Sequence, residues 1–313
     1  MKLRKFLILT LGILAAGHAM AAGGHAQGAA DAAAAAQDSE LELKSLSVVV
    51  YDQYSGEALY AKNPNMQTPI ASITKLMTAM VTLDSHAPLD EKIKITKDDI
   101  DHLKNTGSRL PIGATYSREQ LLNLALIASE NRAAHALGRT YPGGLDAFVA
   151  AMNSKAQALG MKKTLYVDPT GLSSFNQSTA EDLVKLVDHA YSYYPDIRRI
   201  STSGDYSLGK RRVVVKQKKK TRVYWHDLAF VNTNRLTRDD GWQIGLSKTG
   251  FINEAGHCLV MPAEIAQRKV IIVLLDSLGK YTRLGDANRI KRWLEGADGS
   301  RHTLARSPVS RGT

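Results

Sequence analysis

Apolar positions along the chain switch between two periods, and the switches mark out its elements. Short apolar runs at residues 46–51 and 58–61 flank Ser55-Gly56, which predicts two strands joined by a turn. From residue 72 to 84, Ile73, Leu76, Met77, Met80, Val81 and Leu83 recur at helical spacing, predicting a core helix with Ser72 in its first turn. Residues 117–194 keep that period. Ser117 with Glu119-Gln120 behind it reads as a helix cap, residues 145–159 as a helix closed by Gly160, Asp168-Pro169-Thr170-Gly171 as a turn, and residues 179–194 as a further helix. Past residue 205 the texture returns to strands, at 213–215, 223–225, 243–249, 257–261 and 270–275, before a last amphipathic helix at 287–294.

Strands at both ends with helices between them predict an α/β chain of the α+β type. An antiparallel β-sheet is drawn from both termini and flanked by helices, with a mainly helical second lobe. A site belongs in the cleft between the lobes. The chain has 313 residues, 44% of them hydrophobic, enough for a sizeable core. Its first 21 residues change the picture: Lys2, Arg4 and Lys5, an apolar run from Phe6 to Ala16, and Ala19-Met20-Ala21 make a secretory signal peptide. Residues 22–44 form a low-complexity leader, 45–295 the folded domain and 296–313 a polar C-terminal tail. The expected location is therefore outside the cytoplasm. Cys258, the single cysteine, excludes an internal disulfide and sits in a strand-like run as a small apolar residue.

The formal charge is +11, and its densest part is Lys210 to Arg222, read as a solvated β-hairpin. That segment lacks the aromatic interleaving of a nucleic-acid platform, so no nucleic-acid partner is expected. An anionic envelope polymer is the minority reading, giving a possible peripheral envelope association through the hairpin.

Three triplets carry the chemistry: Ser72-Ile73-Thr74-Lys75, Ser129-Glu130-Asn131 and Lys248-Thr249-Gly250. Side chains three apart share a helix face, so Lys75, if neutral, can take the proton of Ser72. Free lysine titrates near ~10.4. The helix macrodipole, the charge of Lys248 and burial would each lower that value. Ser129 and Asn131 interrupt an apolar helix pattern, as a cleft wall or an ordinary inter-helix turn would. Lys248-Thr249-Gly250 is expected at the end of an edge strand, where Gly250 lets a substrate backbone approach. Strict alternation would point Lys248 and Thr249 to opposite faces.

In order and kind these motifs resemble the S-x-x-K, S-D-N and K-T-G set of the penicillin-binding proteins, here with Glu130 in place of aspartate. The chain is similar to the low-molecular-mass members, the D-alanyl-D-alanine peptidases, over residues 45–295. Longer stretches sharpen the likeness toward the endopeptidase branch: residues 69–80, 129–134, 141–144, 248–251, 255–261 and 279–282. The resemblance implies a β-lactamase/transpeptidase-like fold and a periplasmic serine hydrolase acting on peptidoglycan cross-linked peptides, with β-lactam antibiotics as covalent inhibitors and no cofactor or metal. It implies Ser72 as nucleophile, Lys75 as base and Ser129 as a proton relay. Asn131, Lys248, Thr249, Gly250 and Phe251 would bind substrate, with the amides of Ser72 and Phe251 as oxyanion hole. A D-alanyl-D-alanine carboxypeptidase is the alternative, followed by a β-lactamase and a non-catalytic cell-wall-binding protein. Carboxypeptidases of the family continue into a second β-rich domain, and no E-x-x-x-N stretch between the second and third motifs supplies a β-lactamase base.

Overall fold

The computed structural model describes residues 41–217 and 220–305. The expected signal peptide, residues 22–40 of the leader and residues 306–313 of the tail lie outside the described residues. The chain divides after Glu42, and the fold lies in the unit from Leu43 on.

The elements begin with β1 (Ser45–Asp52), β2 (Glu57–Lys62) and β3 (Thr68–Pro69), then a 3-10 turn, Ala71–Ile73, that runs into α1 (Thr74–Asp84). The nucleophile segment is thus a tighter turn before the helix, and only Lys75 of the pair lies in α1 itself. The helical lobe follows with β4 (Lys92–Lys94), β5 (Thr115–Ser117), α2 (Arg118–Ile127), α3 (Asn131–Arg139), α4 (Gly144–Ala158), β6 (Gln177–Ser178), α5 (Ala180–Tyr193) and α6 (Pro195–Thr202). The chain then forms a long hairpin, β7 (Asp205–Gln217) and β8 (Lys220–Val231). It ends with β9 (Gln243–Ile244), β10 (Lys248–Ile252), β11 (Gly256–Ile265), β12 (Arg268–Ser277) and α7 (Thr282–Ala305). Helix α7 is longer at both ends than its amphipathic pattern predicts and takes in residues expected to belong to the tail.

The main sheet is antiparallel in the order β10-β11-β12-β1-β2, with β9 also paired to β11, so strands from both ends of the chain share one ladder. Val270 to Leu275 are fully buried in its centre, as a strand covered on both faces requires. Asp286 in α7 ties the start of β1 to that helix, accepting from the Ser45 amide at 2.7 Å and the Ser45 hydroxyl at 2.6 Å. Helix α1 is buried along most of its length, from Thr74 to Thr82, and packs against α2, α3, α4, α5 and α6. Truncating one such side chain, Leu76 or Met77, to alanine costs roughly 2–5 kcal/mol. A helix fixed this firmly holds a reactive side chain in place.

One expected strand, 243–249, is broken in two. Ile244 pairs with Ala263 and Lys248 with Val260, so residues 245–247 stand against only Met261 and Pro262. Pro262 has no amide to give the ladder, and the Ser247 amide instead donates to Ser201 Oγ at 3.2 Å. The bulge makes Lys248 the first residue of the edge strand and not one of its last.

Candidate active site

Ser72 sits on a turn pressed from two sides. A Cβ on Gly250 would lie 2.8 Å from the Ile70 carbonyl oxygen and 3.1 Å from the Ser72 nitrogen. A Cβ on Gly171, which has φ +80°, would lie 1.9 Å from the Ala71 carbonyl oxygen. Gly250 therefore makes room for the nucleophile's own backbone, a closer neighbour than the expected substrate strand. Ala71 adopts φ 47°, a left-handed conformation that costs a residue with a side chain and persists only where the surroundings enforce it.

Lys75 Nζ lies 2.8 Å from Ser72 Oγ, 2.8 Å from Asn131 Oδ1 and 2.6 Å from the Thr170 carbonyl oxygen. The amide and carbonyl oxygens can only accept. A neutral amine therefore spends its two N–H bonds on them and turns its lone pair to Ser72, the one partner with a proton to give. Burial lowers the Lys75 pKa to about 7, against the opposing charges of Asp168 and Glu130. Burial alone does this: the helix dipole and the charge of Lys248, expected from sequence to share in it, are not among the causes.

The second motif joins α2 to α3. Ser129 has φ 59°, and Glu130, buried, caps α3 by accepting from the Arg132 amide at 3.3 Å. Glu130 fills here a capping place that aspartate favours, so the departure from the familiar triplet keeps the cap. Asn131 opens α3 and donates to Thr106 Oγ1 at 3.0 Å. From the third motif, Lys248 Nζ donates to Ser129 Oγ at 3.0 Å and to the Thr249 carbonyl at 2.9 Å. Burial, then the charges of Lys75 and Arg283, hold Lys248 well below the ordinary lysine range. Thr249 lines the cleft and donates to Thr233 Oγ1 at 2.7 Å. The two neighbours meet one site because the lysine stem is long enough to curl back past its own peptide.

The cleft measures about 720 Å³. Ser72, Ser129, Asn131, Thr249, Gly250 and Phe251 face it, while Lys75 and Lys248 work from behind. Sequence reasoning missed Thr106, the Thr170 carbonyl, Thr233, His257, Lys280 and Arg283. Arg283 Nη1 lies 2.7 Å from His257 Nδ1. A guanidinium can only donate, so His257 is neutral there with its proton on Nε2, consistent with burial and the charges of Arg283 and Lys280 lowering its pKa. Its ring stacks on Phe251 with centroids 4.3 Å apart. Both carboxylate oxygens of Asp168 are taken up by donors of its own turn, and burial pushes the Cys258 thiol up to about 11.

A family model described as D-alanyl-D-alanine carboxypeptidase matches residues 32–279. A D-alanyl-D-alanine endopeptidase of Pseudomonas aeruginosa is 49% identical over 254 residues, 81% of this chain and 78% of the relative. Among solved structures, the Streptomyces K15 DD-transpeptidase superposes with TM-score 0.71 at 27% identity, over 82% of this chain and 98% of that one. Penicillin-binding protein D2 from Listeria monocytogenes, in a cefotaxime-bound form, gives TM-score 0.67 at 29% identity, over 81% and 98%. With the family's motif set assembled around one cleft, the chain belongs to the D-alanyl-D-alanine carboxypeptidase family of serine peptidases.

Proposed function

We propose that the chain is a serine-type D,D-endopeptidase that hydrolyses D-alanyl cross-links of peptidoglycan through an acyl-enzyme on Ser72. The observation that carries this reading is the bonding of Lys75 Nζ, which leaves Ser72 as its only proton donor. Lys75 takes the hydroxyl proton as Ser72 Oγ attacks the D-alanyl carbonyl. The amides of Ser72 and Phe251 receive the oxyanion. The proton passes to the departing amine through Ser129, whose hydroxyl Lys248 holds. Water then attacks the ester and releases Ser72. Asn131, Thr249 and Gly250 line the path of the substrate backbone, and Lys280 with Arg283 gives the cleft a cationic end suited to a carboxylate on the departing side.

The same chemistry accounts for covalent capture of β-lactams, whose ring carbonyl takes the place of the peptide. Endopeptidase is preferred over carboxypeptidase because the Pseudomonas relative, matched over most of its length, bears that name. Among the described residues no helix is long and apolar enough to cross a membrane. The reading places the enzyme in the periplasm, with residues 1–21 removed, 22–44 as a leader, 45–295 as catalytic domain and 296–313 as a tail. A second contact with the envelope, through the basic hairpin Lys210 to Arg222, is favoured by the self-paired β7–β8 sheet, which leaves both strands free of the main sheet. Digestion of purified cross-linked muropeptides tests the activity. Conversion of dimers to monomers is expected; release of terminal D-alanine with dimers left intact would make the chain a carboxypeptidase.

A further inference from the structure

The segment from Asp168 to Asn176 carries none of the three motifs, yet it is bonded to the nucleophile turn and the first turns of α1. Asn176 Nδ2 donates to Thr74 Oγ1 at 3.1 Å, and its carbonyl accepts from the Ile70 amide at 3.0 Å. The Pro169 carbonyl accepts from Thr78 Oγ1 at 2.6 Å and the Thr170 carbonyl from Lys75 Nζ at 2.6 Å. One side chain folds this segment. Asp168 Oδ1 accepts from the Thr170 amide at 2.6 Å, the Thr170 hydroxyl at 2.5 Å and the Gly171 amide at 2.8 Å, while Oδ2 accepts from the Ser173 amide at 3.1 Å. An aspartate that takes the amides following it fixes a tight turn. Any residue type supplies a carbonyl, so the placement of the Thr170 oxygen depends on the side chain that shapes the turn.

We propose that Asp168 is a positioning residue for Lys75, holding the Thr170 carbonyl against Nζ and setting a fixed negative charge behind it. The proposal rests on Lys75 acting as the base. Ser72 gives its proton to Nζ, so positive charge appears there and is passed on when the departing amine is protonated. The charged groups bearing on that site are Asp168 and Glu130, which favour the ammonium, while the repulsion between Lys75 and Lys248 lowers Lys248. Burial alone makes Lys75 easy to deprotonate and correspondingly feeble as a base. The carboxylate restores part of its proton affinity, and the Thr170 carbonyl accepts one of the three N–H bonds of the ammonium formed.

Asp168→Asn removes the charge while keeping the Oδ1 acceptor and three of the four bonds that fold the turn, losing only the one from the Ser173 amide to Oδ2. Labelling rates with a fluorescent penicillin, measured from mildly acidic to alkaline pH, read both roles. The plateau is expected to fall about tenfold, part of the roughly 10²–10⁴ that a positioned base contributes. The acid limb should move to lower pH than in the wild type, because loss of a negative charge favours the neutral amine. Asp168→Ser, a shorter uncharged cap, repeats the measurement, with thermal unfolding checking that each variant is folded. A limb that stays at the wild-type pH in the folded variants, with or without a lower plateau, overturns the proposal and leaves Asp168 a turn former. A wild-type profile with no limb at all overturns the lysine-base reading beneath it.

Discussion

Two lysines share the floor of the cleft, and their burial decides what each can do. Lys75 is fully buried with three hydrogen-bond partners, and its pKa of about 7 leaves a useful fraction neutral at neutral pH. Since only the neutral form accepts the Ser72 proton, penicillin labelling should rise with pH through about 7 and level off above it. Lys75→Arg keeps a cation that does not deprotonate in this range, so labelling should fall by about 10²–10⁴ at every pH. Retention of most of the rate by the folded arginine variant would count against the lysine as base. The pair was legible in the sequence because S-x-x-K fixes two residue types at a spacing one helical turn can close. The Thr170 carbonyl was not, since every residue has one. Thr106, Thr233 and Arg283 belong to no triplet and reach the cleft only through tertiary packing.

At the scale of elements, most boundaries followed from pattern. Ser117 caps α2 through a reciprocal bond with Gln120, and Thr179 caps α5 by accepting from the Asp182 amide at 3.1 Å. The misread elements share a cause in contacts distant in sequence: Pro262, in another strand, splits the expected 243–249 strand, and the pressure of Gly171 and Gly250 shapes the turn before α1. Gly171 offers a direct measure of that pressure. Gly113 has a similar φ, +85°, but no atom within 4 Å of an added Cβ, whereas at Gly171 the Cβ collides with the Ala71 carbonyl. Gly113→Ala should therefore cost only the left-handed strain, roughly 1–2 kcal/mol, and leave labelling intact. Gly171→Ala should lower the melting temperature further and also slow acylation, because relief requires the nucleophile turn to move. Equal melting shifts and equal labelling in the two variants would mean that the loop yields without disturbing Ser72.

Across the whole molecule, the β7–β8 hairpin is the feature that catalysis leaves unused. Among the described residues it pairs only with itself, from Asp205 opposite Val231 to Gln217 opposite Lys220 with a register shift between Ser207 and Lys210, and it exposes Trp225 and Val223. At its base, Phe230 is buried under the guanidinium of Arg109, 3.7 Å from the ring centroid. The chain leaving β8 runs directly to Thr233, whose hydroxyl meets Thr249 in the cleft. A polymer held along the hairpin would thus lie near the opening where its cross-links are cut. Lys218 and Lys219 lie outside the described residues, but their charges belong to the basic run. Replacing Lys218, Lys219 and Lys220 by Gln should leave the rate on small soluble muropeptides unchanged while reducing sedimentation with intact sacculi. The difference should be largest at low salt, because exposed charges more than about 10 Å apart are screened at about 0.1 M. If wild type and variant sediment equally across a salt series, the basic run serves only as solvated surface, and attachment to the wall must come from the cleft itself.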